Sequence, residues 1–269
     1  MDVEQPSRAG TLLRRWRQRR RLSQLDLALL ADTSTRHLSC VETGRARPSR
    51  AMVLRLATAL DIPLRERNTI LLAAHHAPEY RESSLTDEAM AAVRAALDMM
   101  LESHEPYPAV VVDRHWNLVA GNRALTVLTD GIPPSLLSPR PNVFRLTLHP
   151  DGLARRLANA SEVREYFLER LQRQVEATGD PELQELHEEV LRYPVPSTTD
   201  DDLAEAGQTS PIQVPLRVRT PHGVLSMFGT MATFGAPADV TLSELAIELF
   251  YPLDDRTAKA LRSLAEVSR

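Results

Sequence analysis

Arg36 stands between Thr35 and His37, with Ser39 a helical turn further on, and this grouping has the most readily stated chemistry in the sequence. A guanidinium donates in a fixed fork that matches the O6 and N7 acceptors of guanine, while hydroxyls and an imidazole make single hydrogen bonds to base edges or phosphates. Such a set can read double-stranded DNA only where a helix presents it end-on, and Ser34 is the residue type that caps a helix beginning at Thr35. Gln24 before it, and Arg45 and Arg47 after Gly44, suit phosphate oxygens, which fix register without reading sequence. Glu42 has the wrong sign for that surface and fits instead as the partner of Arg15 or another arginine of the first helix.

Chemistry of other kinds has little footing. There is no GxSxG elbow, no GxGxxG after a strand and no phosphate loop of the GxxxxGK type. Of the eight histidines, His75 and His76 are adjacent and the rest are scattered without metal-ligand spacing. Asp200, Asp201 and Asp202 sit in a Ser/Thr/Pro-rich loop and read as a solvated run. Cys40, the only cysteine, precludes an internal disulfide and agrees with a reducing compartment. No enzyme activity, metal or cofactor is expected. Nor is a membrane span, since no apolar run approaches the ~20 residues one requires, and a cytoplasmic protein is expected.

The elements that must hold the reading residues are marked out around them. Leu12, Leu13 and Trp16 give the first helix an apolar stripe, and Ser23 caps a second helix with Asp26 three residues on. Leu27, Ala28 and Ala31 allow close crossing, Asp32-Thr33 turns the chain, and Leu38 and Val41 form the buried side of the reading helix. Pro48-Ser49 opens a fourth helix, and Leu64–His75 predicts a fifth. Leu25 and Leu29, four apart on the second helix, form an apolar ridge expected to pack on the linker, on the following domain or on a partner subunit. Charge follows the same division: residues 1–75 hold 14 Arg against 7 Asp and Glu, and the remainder 18 Lys and Arg against 29 acids. A basic head thus precedes an acidic body, and only the head attracts a polyanion.

Beyond residue 76 the periodicity changes. Residues 76–86 read as linker and Asp87–Ser103 as a helix; Ala109–Val112 and Trp116–Ala120 flank a turn as a strand pair, and Asn122 caps a short helix. Ser161–Thr178 and Glu182–Arg192 are helical by their stripes. Ser197–Gln208 is an acidic loop. Ile212, Val214, Leu216 and Val218 alternate with polar residues as a strand with one wet face, and Pro215 makes it an edge strand. Strands follow at Val224–Phe234 and Glu244–Tyr251, then a helix behind Asp254-Asp255. The fold class is mixed α+β: an all-α five-helix head over 1–76, a linker and connecting helix over 77–104, and an antiparallel five-stranded domain with helices over 105–269.

The head resembles the Xre/Cro repressors through Ser23-Gln24, Leu27-Ala28, Ala31, Ser34, Leu38-Ser39, Val41-Glu42-Thr43-Gly44, Arg47 and Pro48. The remainder is similar to the MmyB-like regulators of actinobacteria, which carry a PAS-like ligand-binding domain. The residues of that likeness are Pro108-Ala109, Asp113, Trp116-Asn117-Leu118, Asn122-Arg123-Ala124, Asn142, Arg145-Leu146, His149-Pro150-Asp151-Gly152, Gly223, Phe234-Gly235 and Asp239-Val240-Thr241. The likeness implies a sheet in the order 2-1-5-4-3 and a cavity for a long-chain fatty acid or similar lipid as effector. Trp116, Leu118, Met227 and Met231 are the expected sheet wall, facing Phe144, Leu148, Phe167 and Leu171, although the same spacings suit a plain core. Arg123, Arg145 and His149 are the expected contacts for a carboxylate head group, and Asn122 is a further expected ligand contact. The expected function is a homodimeric, ligand-responsive regulator of transcription; the rival is a regulator whose second domain only dimerises.

Overall fold

The computed structural model describes residues 8–194 and 214–267. The acidic loop Ser197–Gln208 and the strand start at Ile212 lie outside them. The chain divides into two compact units. The first runs to Ser84 and takes in Ala236–Ser243; the second holds Leu85–Gly235 and resumes at Glu244.

Five helices build the first unit: α1 Arg8–Arg19, α2 Gln24–Leu30, α3 Thr35–Glu42, α4 Arg50–Ala59 and α5 Leu64–Ala73. Serines start three of them. Ser23, Ser34 and Ser49 accept from the backbone N–H of Asp26, His37 and Met52, and Asp26 returns the bond to Ser23. Each such cap contributes about 1 kcal/mol. Four helices end in a left-handed residue without glycine, at Arg21, Asp32, Asp61 and His75. In each case the next N–H bonds back five residues, as Thr33 does to Ala28 and His76 to Leu71, at 2.9 and 2.8 Å. Leu13, Trp16, Leu27, Leu38, Val41, Leu56 and Leu71 meet in the core.

The segment expected as linker is held on α5. Asn68 Oδ1 accepts from Glu79 and Tyr80 N–H at 3.0 and 3.1 Å, and its amide donates to the Tyr80 carbonyl at 2.8 Å. A short helix, Val240–Ser243, completes this unit: Val240 N–H donates to the Arg81 carbonyl at 2.8 Å and Ser83 N–H to Asp239 Oδ2 at 3.1 Å.

The second unit begins with a 3-10 turn, Glu88–Met90, leading into α6 Ala91–Ser103. Strands β1 Ala109–Val112 and β2 Leu118–Gly121 follow, then two single-turn helices, α7 Thr126–Thr129 and α8 Pro134–Leu137. Helices α9 Val143–Leu148, α10 Ala160–Thr178 and α11 Pro181–Leu191 precede β3 Leu216–Thr220, β4 Gly223–Thr233 and β5 Ala246–Pro252; a last helix spans Asp255–Val267. The sheet is antiparallel throughout and ordered β2-β1-β5-β4-β3. β5 is central, with Glu248 opposite Val110 on one side and Met231 on the other.

Pro215 falls just before β3, which is an edge strand, so no ladder hydrogen bond is lost to it. The expected wet face of β3 is not found at Arg217, which is 7% exposed and donates its N–H to Asn159 Oδ1 at 3.3 Å. Asn122 does not cap the turn after it. Its side chain instead accepts from Ala109 N–H at 2.9 Å and donates to the Tyr107 carbonyl at 2.7 Å, clipping the start of β1. Trp116 takes a positive φ of 67°, held by Asp113, whose Oδ1 accepts from His115 and Asn117 N–H.

Candidate nucleic-acid interface and ligand cavity

In the first unit α3 begins at its Ser34 cap, and Leu38 and Val41 anchor its inner side. The opposite side carries Arg36 and His37, both exposed, and Thr35 and Ser39, half-buried. Ser34 spends its hydroxyl on the helix start, so its part is to set the angle at which its neighbours project. Arg45 is exposed beyond Gly44, whose φ is 82°. Arg47 also works inside the fold, where its Nε donates to the Ala74 carbonyl at 3.0 Å and closes α5.

Glu42 does meet an arginine of α1, and it is Arg17. The pair is bidentate at 2.7 and 2.8 Å, and Gln24 adds a third hydrogen bond to Oε2 at 2.8 Å. Gln24 is therefore tied to the base of α3, whatever else it touches. Burial pushes the Glu42 carboxyl up, but the hydrogen bonds from Arg17 and Gln24 and the charges of Arg17 and Arg14 outweigh it and hold the group below the ordinary carboxylate range. Leu25 and Leu29 are 58% and 73% exposed, so within this chain the expected packing of the ridge on the linker does not occur.

The second unit contains an apolar cavity of about 70 Å³ between the sheet and the helices. Val110, Leu118, Gly229 and Phe250 form its sheet side, and Leu146, Val163 and Phe167 its helix side. Gly229 matters here because a Cβ on it would lie 3.2 Å from Glu248 Oε1, so the missing side chain leaves room for that carboxylate. Among the described residues Glu248 is the one acid in the lining, and its Oε2 has no hydrogen-bond partner. Arg170 of α10 reaches Oε1 at 3.3 Å, and its guanidinium lies 4.2 Å from the centre of the Trp116 ring and against Met231 Sδ. Burial pushes the Glu248 carboxyl above its ordinary range despite Arg170.

Of the residues expected to line a pocket, Leu118 and Phe167 do. Trp116, Phe144, Leu148 and Leu171 lie beside it as packed core, with Trp116–Phe144 and Phe144–Phe167 edge-to-face at 5.2 and 5.3 Å. Met227 is core too, and Met231 is 43% exposed. The expected polar contacts stand elsewhere. Asn122 clips β1, and Arg123 is 68% exposed at a separate open groove shared with Arg156 and His222. Arg145 is paired with Glu189 at 2.7 Å. The His149 ring stacks edge-on to Tyr193, and its Nδ1 accepts from Asp151 N–H at 3.1 Å. The carboxylate of Glu248 is not among the expected contacts, although one acid inside the apolar run Ala246–Tyr251 is a detectable sign, since a buried charge needs a reason.

Comparison with known proteins bears on both units. Residues 93–264 match the model for the MmyB-like transcription regulator ligand binding domain, and residues 8–70 match that for a helix-turn-helix domain. No curated protein matches the chain. Among solved structures, the restriction-modification controller protein C.AhdI from Aeromonas hydrophila is 39% identical over 23% of this chain and 92% of its own, with a TM-score of 0.22. An RNA-binding light-oxygen-voltage receptor is 13% identical over 98% of this chain and 64% of its own, with a TM-score of 0.28. With the cavity-bearing sheet unit behind a helix-turn-helix head, the chain belongs to the MmyB-like transcription regulators.

Proposed function

We propose that this chain binds operator DNA as a homodimer through α3 and that a slender hydrophobic molecule, of the long-chain fatty-acid or similar lipid class, occupies the sheet cavity and alters how the two heads of the dimer are spaced. The observation that carries the reading is the apolar passage between β-sheet and α10, since a packed interior leaves few voids of this size without a reason. Dimerisation follows from energetics. One head reads only a few base pairs, and two heads a helical turn apart roughly add their free energies. Control follows only if the effector binds one arrangement of heads better than the other.

The test is to denature freshly purified protein, extract it into organic solvent and identify what is released by mass spectrometry, then compare operator binding before and after the ligand is stripped. A stoichiometric lipid whose removal changes operator affinity is the expected result. Protein that carries nothing, takes up no lipid and binds operator unchanged would leave the second unit as an assembly domain only.

A further inference from the structure

Glu248 is poorly placed to be a spectator. It sits on the central strand, opposite Val110 of one neighbouring strand and Met231 of the other, so it cannot leave the interior without opening the sheet. Its side chain is 8% exposed. Arg170 satisfies Oε1 alone, and that guanidinium is itself confined by the Trp116 face and Met231. Glu248 lines the cavity, and its Oε2, itself buried, has no partner among the described residues. A buried oxygen left unbonded carries its full desolvation penalty, so a molecule that enters and bonds it recovers that penalty.

The chemistry of the missing partner can be narrowed by considering both forms of the acid. An ionised Oε2 requires a donor; a protonated one requires an acceptor. A hydroxyl or a primary amide supplies either, whereas a carboxylate ion only accepts and brings a second negative charge to a site whose lining, among the described residues, has no arginine, lysine or histidine. We propose that Glu248 is the polar contact for the cavity's ligand and selects an aliphatic molecule with an uncharged hydrogen-bonding end, a hydroxyl or an amide, over the corresponding carboxylate ion. This rests on the reading of the cavity as a lipid site and narrows that class to lipids with an uncharged end, setting aside the free fatty-acid anion. Arg170 is then a positioning residue that holds Oε1 and leaves Oε2 without a protein partner among the described residues.

The experiment uses the full chain, stripped of ligand, titrated calorimetrically with octyl, dodecyl and hexadecyl chains, each ending in a hydroxyl, a primary amide or a carboxylate. At neutral pH the alcohol and amide of the best-fitting length are expected to bind about tenfold or more tighter than the carboxylate. Glu248→Gln, whose amide can donate to a carboxylate, is expected to bring the three within about threefold of one another. A carboxylate that binds the natural protein as tightly as the alcohol overturns the inference, as does a preference that persists unchanged in Glu248→Gln. Absence of binding by every probe overturns the cavity as a ligand site and this inference with it. Where Glu248→Gln does not fold, the ranking on the natural protein decides by itself.

Discussion

Arg17, Arg20 and Arg47 direct guanidinium donors into the first unit, to Glu42 and to the carbonyls of Leu22, Leu60 and Ala74, whereas Arg36 and Arg45 stand exposed around α3. Equal charge therefore conceals unequal work. Replacing Arg36 with alanine is expected to weaken binding to the cognate operator by about 1–3 kcal/mol and to loosen preference at one base position, seen by mobility shift on operators changed one base at a time. Arg45→Ala should lower affinity for all sequences alike and flatten its salt dependence. Arg47→Ala differs: it removes the closure of α5 and should lower the head's melting temperature by the equivalent of about 1 kcal/mol in the absence of DNA. Glu42→Ala leaves Arg17 buried without its partner, and a loss of about 3–5 kcal/mol is expected in thermal unfolding. Because the folded-state Glu42 carboxyl lies below its unfolded value, its contribution is whole above the unfolded range and drains away as pH falls through the folded value, so the head should soften below about pH 4. That Glu42 would seek an arginine of α1 was legible from sign alone. Which arginine depended on the rotation of α1 about its axis, which the spacing of Leu13 and Trp16 constrains only to a face.

Among elements, the head's helices were legible because serine caps and apolar stripes are local signals, and Ser23, Ser34 and Ser49 all cap at or beside the expected starts. The sheet order came with the family likeness, and the position of Pro215 agreed with it independently. The cavity was harder. Aromatic and methionine spacing marks side chains that fill space, and Trp116, Phe144 and Leu171 do fill it; a cavity is where neighbours fall short, which leaves no periodic trace. The docking of the linker is hidden for a related reason, since the grip of Asn68 on Glu79 and Tyr80 joins residues eleven and twelve apart. Leu118 offers the direct test of this layer. Leu118→Trp should plug the passage, because a well-packed interior cannot absorb that volume, and protein purified with this change is expected to release no lipid on extraction. Full lipid occupancy in a folded Leu118→Trp protein would place the ligand elsewhere.

At the scale of the whole molecule, the surplus of arginine in the first 75 residues and of acids after them confines attraction for DNA to the head. Among the described residues, no helix is long and apolar enough to cross a membrane. The unit boundary also has a measurable property. A peptide chain ending at Ser84 lacks Ala236–Ser243, so the Arg81 carbonyl and Ser83 N–H lose the partners they have in the full protein. Such a fragment is expected to melt lower than the same helices in the intact chain, by the equivalent of about 1–3 kcal/mol, and to regain part of that loss when a peptide of residues 236–243 is added. Identical melting with and without the peptide would show that the segment is a passenger.

The short helix between β4 and β5 means that the backbone passes from one unit to the other three times: after Ser84, after Gly235 and after Ser243. Heads and sensors of regulators are commonly pictured as interchangeable modules, recombined by a single splice in the connecting segment. Here a splice at Ser84 would graft a foreign head onto a sheet domain that still carries a piece of the old one. Exchange of heads in this lineage therefore requires that two distant stretches of sequence change together, and Arg81, Ser83, Asp239 and Thr241 are the positions at which that joint inheritance should be visible.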